Sequence, residues 1–141
     1  MRLVFLGTAD IARPVLRALV SAGHEVLAVV TQPDRARGRS GAPQPPPVKE
    51  EAQALGLACP VLQPEKLGRQ TRERIAALAP EVGIVVAYGQ LLSKELLAVP
   101  PRGFLNVHAS LLPRWRGAAP VQRAIAAGDR ETGVAVMRVT P

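Results

Sequence analysis

The chain has 141 residues, enough for one compact domain. Hydrophobic residues make up 48% of it and aromatic ones only 3%, so its core has to be built from Val, Leu, Ile and Ala, the palette of a parallel sheet wrapped by helices. A formal charge of +7 comes almost wholly from arginine, since Lys49, Lys66 and Lys94 are the only lysines; an arginine-rich proteome and an anionic partner both account for it, and only placement can separate them.

The opening apolar run Leu3 to Leu6 is too short for a secretory signal or a membrane span and reads as a first strand. After Gly7-Thr8, residues Ile11, Val15, Leu16 and Leu19 recur at helical spacing until Gly23. Glu25 to Thr31 supplies a second, β-branched strand, which makes one βαβ unit with a right-handed crossover. Gln32 to Pro47 has no apolar periodicity and carries Arg35, Arg37 and Arg39 among glycines and prolines, so it is expected to be a long irregular loop.

Val48 to Leu55 is a predicted helix, Pro60 to Leu62 a short strand, Thr71 to Leu78 a helix ending before Pro80, and Gly83 to Ala87 a buried strand. Leu91 to Leu97 suits a short helix, Phe104 to His108 a strand, Val121 to Ala127 a helix closed by Gly128, and Gly133 to Val139 a last strand. About six strands alternating with helices imply an α/β fold: a Rossmann-like open sheet, mostly parallel, with helices on both faces. Cys59 stands alone, which leaves no disulfide framework and no cysteine metal site within the chain and suits a buried thiol in a reducing cytoplasm.

The first turn, Gly7 to Ala12, sits where a dinucleotide enzyme would place three glycines, but only the first is present. The second strand also runs into Thr31-Gln32-Pro33 instead of an acidic residue, so an NAD-type role is set aside. Asp10 is expected to cap the first helix.

Asn106-Val107-His108 lies at the carboxyl end of a predicted strand, where open parallel sheets gather their ligands. The two-residue period points Asn106 and His108 to one face and leaves Val107 for the opposite core. An amide and an imidazole roughly 6 to 7 Å apart along a strand could embrace one carbonyl, the amide polarising its oxygen and the histidine assisting proton transfer. That suits transfer of an acyl or formyl group, although the triplet taken alone fits a structural histidine better.

Its neighbours extend the pattern. The stretch from Asn106 through Ser110-Leu111-Leu112-Pro113, Arg114-Trp115-Arg116-Gly117 and Ala118-Ala119-Pro120-Val121-Gln122 closely resembles the signature of folate-dependent formyltransferases. Ala109 stands where that family usually has glycine, so the backbone there tolerates a Cβ atom. Gly7-Thr8, Thr31-Gln32-Pro33-Asp34, Val86-Ala87-Tyr88-Gly89 and Gly128-Asp129 through Thr132-Gly133 carry the likeness along almost the whole chain. The segment Arg114 to Gln122 and the arginine loop look most like the branch that acts on methionyl-initiator tRNA.

The resemblance implies a formyltransferase fold, here truncated, with 10-formyltetrahydrofolate as formyl donor and no metal. It implies catalytic roles for Asn106 and His108, folate contacts for Ser110, Leu111, Leu112, Pro113, Tyr88 and Gly89, and tRNA contacts for Arg35, Arg37 and Arg39. In that reading residues 1–141 are the first part of a catalytic domain, inactive alone. The remainder, a catalytic aspartate on a Gly-Leu-Asp-Thr-Gly segment and a tRNA-binding β-barrel domain would lie outside them. Asp129 and Glu131 match no catalytic carboxylate of the family. A monomeric full-length enzyme in the cytoplasm is expected, with self-association of the piece through uncovered sheet. Left open are formylation of glycinamide ribonucleotide or of an amino-sugar nucleotide, hydrolysis of the formyl donor, and a non-catalytic module that binds folate or RNA.

Overall fold

The computed structural model describes residues 1–36 and 41–141. Strand β1 (Arg2–Gly7) leads through a 3-10 turn at Asp10–Ala12 into α1 (Arg13–Ser21), and β2 (Glu25–Val30) completes the first crossover. Pro14, without an N–H to donate, sits in the first turn of α1, where that donor would be unused anyway. A two-residue ribbon follows, β3 (Arg35–Ala36) against β4 (Pro43–Gln44), and then α2 (Pro47–Ala54), β5 (Val61–Leu62), α3 (Arg69–Ala77) and β6 (Val82–Val86). The chain continues with α4 (Lys94–Leu97), β7 (Phe104–His108), α5 (Pro120–Ala126) and β8 (Ala135–Arg138).

Three expectations need correction. The segment Gln32 to Pro47 holds the β3–β4 ribbon, because Pro43 can lie on an edge that asks no N–H of it. Asp10 caps no helix: Ala9 and Ala12 occupy the two cap positions, neither with a side-chain bond, and the Asp10 carboxylate instead lies 3.6 Å from the Arg13 guanidinium. The helix before β7 is also shorter than its apolar spacing suggests, starting where the Ser93 hydroxyl accepts from the Leu96 N–H at 3.3 Å.

The six long-range strands lie in the order β5-β2-β1-β6-β7-β8, parallel throughout except for β8, which pairs antiparallel with β7. The chain therefore winds outward twice from the β1–β6 junction, and a crevice opens beyond the carboxyl ends of those two strands, the switch point where such sheets bind ligands.

Each face of the sheet has its own core. Val4, Leu6, Val30, Val85 and Phe104 pack with Ile75 of α3 and with Leu96 and Leu97 of α4. Leu3, Phe5, Val29 and Ile84 pack on the other face with Leu16 of α1 and with Val48 and Ala52 of α2. This alternation along every strand is what places helices on both sides of a sheet rich in β-branched residues. Cys59 is half-buried against the second core, and burial raises its thiol pKa.

Two polar clusters lock the crossovers. Between α1 and α2 the buried Glu51 carboxylate accepts from Arg17 Nε at 2.9 Å, Arg17 Nη2 at 3.0 Å and Arg13 Nε at 3.0 Å. The hydrogen bonds from Arg17 and then Arg13 hold the Glu51 carboxyl below the usual carboxylate range. After β2, Lys49 Nζ donates to both oxygens of Asp34, at 2.8 and 2.9 Å, and to Gln63 Oε1 at 2.9 Å, while Gln63 Nε2 donates to the Gln32 carbonyl at 3.0 Å. These bonds fix the base from which the arginine loop departs.

Candidate active site

A cavity of about 1100 Å³ opens over the carboxyl ends of β6 and β7, large enough for a drug-sized ligand. Asn106 and His108 share one wall, with Val107 packed into the second core behind them, as the two-residue period requires. Val85, Ala87, Tyr88 and Gly89 contribute a second wall, Asp10 and Ile11 a third, and residues 117–122 at the start of α5 a fourth. Carbon-rich surface dominates the lining, which is how a low-dielectric site strengthens the few polar groups in it.

The strand end that carries Tyr88 is bent to make this opening. Ala87 has φ of 45° and Gly89 of 93°, so the chain leaves β6 through two left-handed residues. The Tyr88 carbonyl between them is held by the Thr8 hydroxyl at 2.9 Å and by Gln32 Nε2 at 3.3 Å. Gly7 makes this approach possible, since a Cβ there would stand 3.0 Å from Ala12 Cβ and 3.1 Å from the Val86 carbonyl oxygen. The Tyr88 ring itself points inward, into the core shared with Leu62 and Leu96. Its hydroxyl finds no partner among the described residues, and burial pushes its pKa up to about 12.

His108 is anchored through its ring. Its Nε2 lies 2.8 Å from the Trp115 carbonyl oxygen, which can only accept, so Nε2 carries the hydrogen and the neutral imidazole keeps its lone pair on Nδ1. No hydrogen bond to a described residue engages the Asn106 amide, which leaves both of its donors for a ligand in the cavity.

Of the residues implied by the resemblance, Asn106, His108, Tyr88 and Gly89 line one cavity. Ser110, Leu111, Leu112 and Pro113 lie outside that lining and form the turn from His108 to Trp115, with a cis Leu112–Pro113 bond. Ser110 is fully buried and its hydroxyl donates to the Arg114 carbonyl at 2.7 Å. Arg35 lies on the β3–β4 ribbon, exposed and 3.9 Å from Glu65, while Arg37 and Arg39 fall outside the described residues.

Sequence reasoning missed the contacts that shape the site from a distance. Thr8 and Gln32 act on the Tyr88 carbonyl across 80 and 56 residues, and Asp129 grips Trp115 and Arg114 across 14 and 15. No local spacing announces such pairs; a lone tryptophan beside an arginine near the candidate histidine was the available signal.

Sheet order and cavity define an α/β protein with a ligand site at the switch point of a mostly parallel sheet. A family model described as formyl transferase matches residues 1–141, and the chain belongs to that family. Among curated proteins it is 57% identical over 142 residues to the methionyl-tRNA formyltransferase of Methylococcus capsulatus, an alignment that covers 100% of this chain and 46% of the relative. It is 56% identical to the enzyme of that name from Moorella thermoacetica, over 100% of this chain and 45% of the relative. The chain thus spans less than half the length of the curated relatives it matches. Among solved structures it resembles glycinamide ribonucleotide transformylase 1 of Geobacillus kaustophilus with a TM-score of 0.75 at 23% identity, over 99% of this chain and 74% of that one, which bears on the fold alone. Phosphoribosylglycinamide formyltransferase of Brucella melitensis gives 0.71 at 26% identity, over 99% and 72%.

Proposed function

We propose that the full-length protein containing this chain transfers the formyl group of 10-formyltetrahydrofolate to the α-amino group of methionyl-initiator tRNA. The observation that carries this reading is the Asn106 amide and His108 imidazole on one face of β7, lining a cavity at the sheet's switch point. Its apolar walls at Ile11, Val85 and Val121 suit a flat heterocyclic donor.

The amine nitrogen forms a bond to the formyl carbon, the bond from that carbon to the folate nitrogen breaks, and one proton passes from the amine to that nitrogen. Negative charge builds on the formyl oxygen, where Asn106 donates hydrogen bonds. His108, with its Nε2–H held by a carbonyl, offers Nδ1 for the proton. Tyr88 and Gly89 shape the donor's pocket, and the turn Ser110 to Pro113 seats it by fixing the backbone after His108. A further catalytic aspartate on a Gly-Leu-Asp-Thr-Gly segment outside these residues completes the site. The exposed Arg35, with Arg37 and Arg39, meets tRNA phosphates.

Identity of 57% to a methionyl-tRNA formyltransferase supports tRNA over a ribonucleotide acceptor. Among the described residues no helix is long and apolar enough to cross a membrane. The cytoplasm, where translation supplies the acceptor, is the proposed location.

The test is formyl transfer by the full-length protein to methionyl-tRNA and, separately, to glycinamide ribonucleotide. Asn106→Ala should lower kcat by about 100- to 1,000-fold and His108→Ala by about 100- to 10,000-fold. Turnover of the ribonucleotide alone would move the protein to another branch, and unchanged turnover in both variants would remove the assigned chemistry.

A further inference from the structure

We propose that Asp129 is a positioning residue for His108, acting through Trp115. It does not line the cavity and touches no candidate catalytic group, so its influence must be transmitted.

Transmission runs through a short chain of contacts. One carboxylate oxygen of Asp129 accepts from the Trp115 indole Nε1–H at 2.6 Å, and the other accepts from Arg114 Nη2 at 2.8 Å. The Arg114 guanidinium lies over the Trp115 ring, 5.0 Å from its centroid, so indole, guanidinium and carboxylate brace one another. The Trp115 carbonyl then accepts the His108 Nε2–H at 2.8 Å.

Trp115 requires this bracing. Its φ of 55° is left-handed, a conformation that a bulky residue keeps only when its surroundings hold it there. Without a fixed indole the residue would relax toward ordinary backbone angles, and its carbonyl would turn away from His108. Asp129 is a suitable fixed point. It follows Gly128, whose φ of 70° closes α5, and its own N–H donates to the carbonyl of the buried Ala124 at 3.0 Å. The same α5 begins at the cavity with Pro120 and Val121, so one helix links the Asp129 clamp to a wall of the cavity that His108 also lines.

The consequence is chemical. A His108 ring whose Nε2 is held as a donor presents Nδ1 as its one basic atom, in one orientation. Released from the Trp115 carbonyl, the ring would sample other rotamers and both tautomers, and productive geometry would become a minor fraction of the ensemble.

The kinetic half of the proposal rests on the formyl-transfer reading; the hydrogen-bond half does not, and the two are tested separately in the full-length protein. Asp129→Ala should lower kcat for formyl transfer by about 10- to 100-fold while KM for the formyl donor stays within about twofold. Trp115→Phe, which keeps an aromatic ring but removes the indole donor with its five-membered ring, should lose a similar factor. The double variant should be no slower than the worse single one, because both break the same link. Asp129→Asn keeps an acceptor for the indole and should recover most of the rate. Independently, nitrogen-15 NMR should show His108 with a protected Nε2–H in the parent protein and exchange at least about tenfold faster in Asp129→Ala. Losses that multiply in the double variant, a kcat within about twofold of the parent in Asp129→Ala, or unchanged Nε2–H exchange would each overturn the proposal. If His108→Ala itself leaves turnover intact, the formyl-transfer reading fails, and the exchange measurement still decides whether Asp129 holds the ring.

Discussion

Replacing Gly83 with alanine perturbs the site from inside the sheet. Gly83 pairs across the β6–β7 ladder with Phe104, and the Phe104 ring lies over the space a side chain would fill. A Cβ at position 83 would overlap Cδ1, Cε1 and Cζ of that ring, which is fully buried in the core shared with Val85 and Leu97. Gly83 does not have a positive φ, so alanine adds no dihedral strain and any cost comes from the overlap. Forcing a methyl into a closed core costs about 1–3 kcal/mol, and here the relief must come from Phe104, two residues before Asn106 on the same strand face. Gly83→Ala should therefore lower the unfolding free energy by that amount in urea titrations and also weaken Asn106-dependent turnover. Phe104→Ala alone should cost about 3–5 kcal/mol, and the double variant less than the sum, because the second change empties the space the first one needs. A Gly83→Ala protein within about 0.5 kcal/mol of the parent, or strict additivity in the pair, would refute the packing argument.

Other expected outcomes follow from the charged and polar contacts. Glu51→Gln should destabilise by about 1–3 kcal/mol near neutral pH. Because the Glu51 pKa is lowered by folding, its contribution is present above the ordinary value of 4.5 and fades as pH falls below it, so the gap between variant and parent should narrow in acid. Tyr88→Phe removes a hydroxyl without a partner among the described residues and should be neutral or stabilising by about 1 kcal/mol. With the folded pKa raised to about 12 from an ordinary 10.0, the unfolded chain ionises first, and the parent should lose on the order of 2–3 kcal/mol as pH rises between those values while the phenylalanine variant does not. Alanine at Arg35, Arg37 and Arg39 together should weaken tRNA binding and flatten its salt dependence, with folate binding unchanged; an unaltered salt slope would remove the loop from the tRNA interface. The 141-residue chain exposes Ile125, Val134 and Val136 and should self-associate, and light scattering that shows a stable monomer would count against it.

Strand and helix positions were legible because each depends on a local repeat. Short apolar runs marked β1, β2, β6 and β7, apolar spacing marked α1, and the breakers Gly56 and Pro80 marked where α2 and α3 must end. The pairing of Asn106 with His108 was equally local, a matter of alternate residues on one strand. Less legible were the exact ends. The helix before β7 begins at Lys94 only because the Ser93 hydroxyl caps it, and the Asp10 carboxylate spends itself on Arg13 when a cap was available.

By itself, then, the sequence determined the class of fold, the strand that bears the candidate chemistry and the family, since each of these is written in short-range periodicity or in a long contiguous motif. Tertiary structure alone decided that the Tyr88 ring belongs to the core while its carbonyl faces Thr8 and Gln32, that Ser110 to Pro113 turn away from the cavity, and that Asp129 grips Trp115. Each of those outcomes depends on which distant residue arrives within hydrogen-bond reach after the sheet has closed its order around β1 and β6, and no period along the chain encodes that arrival.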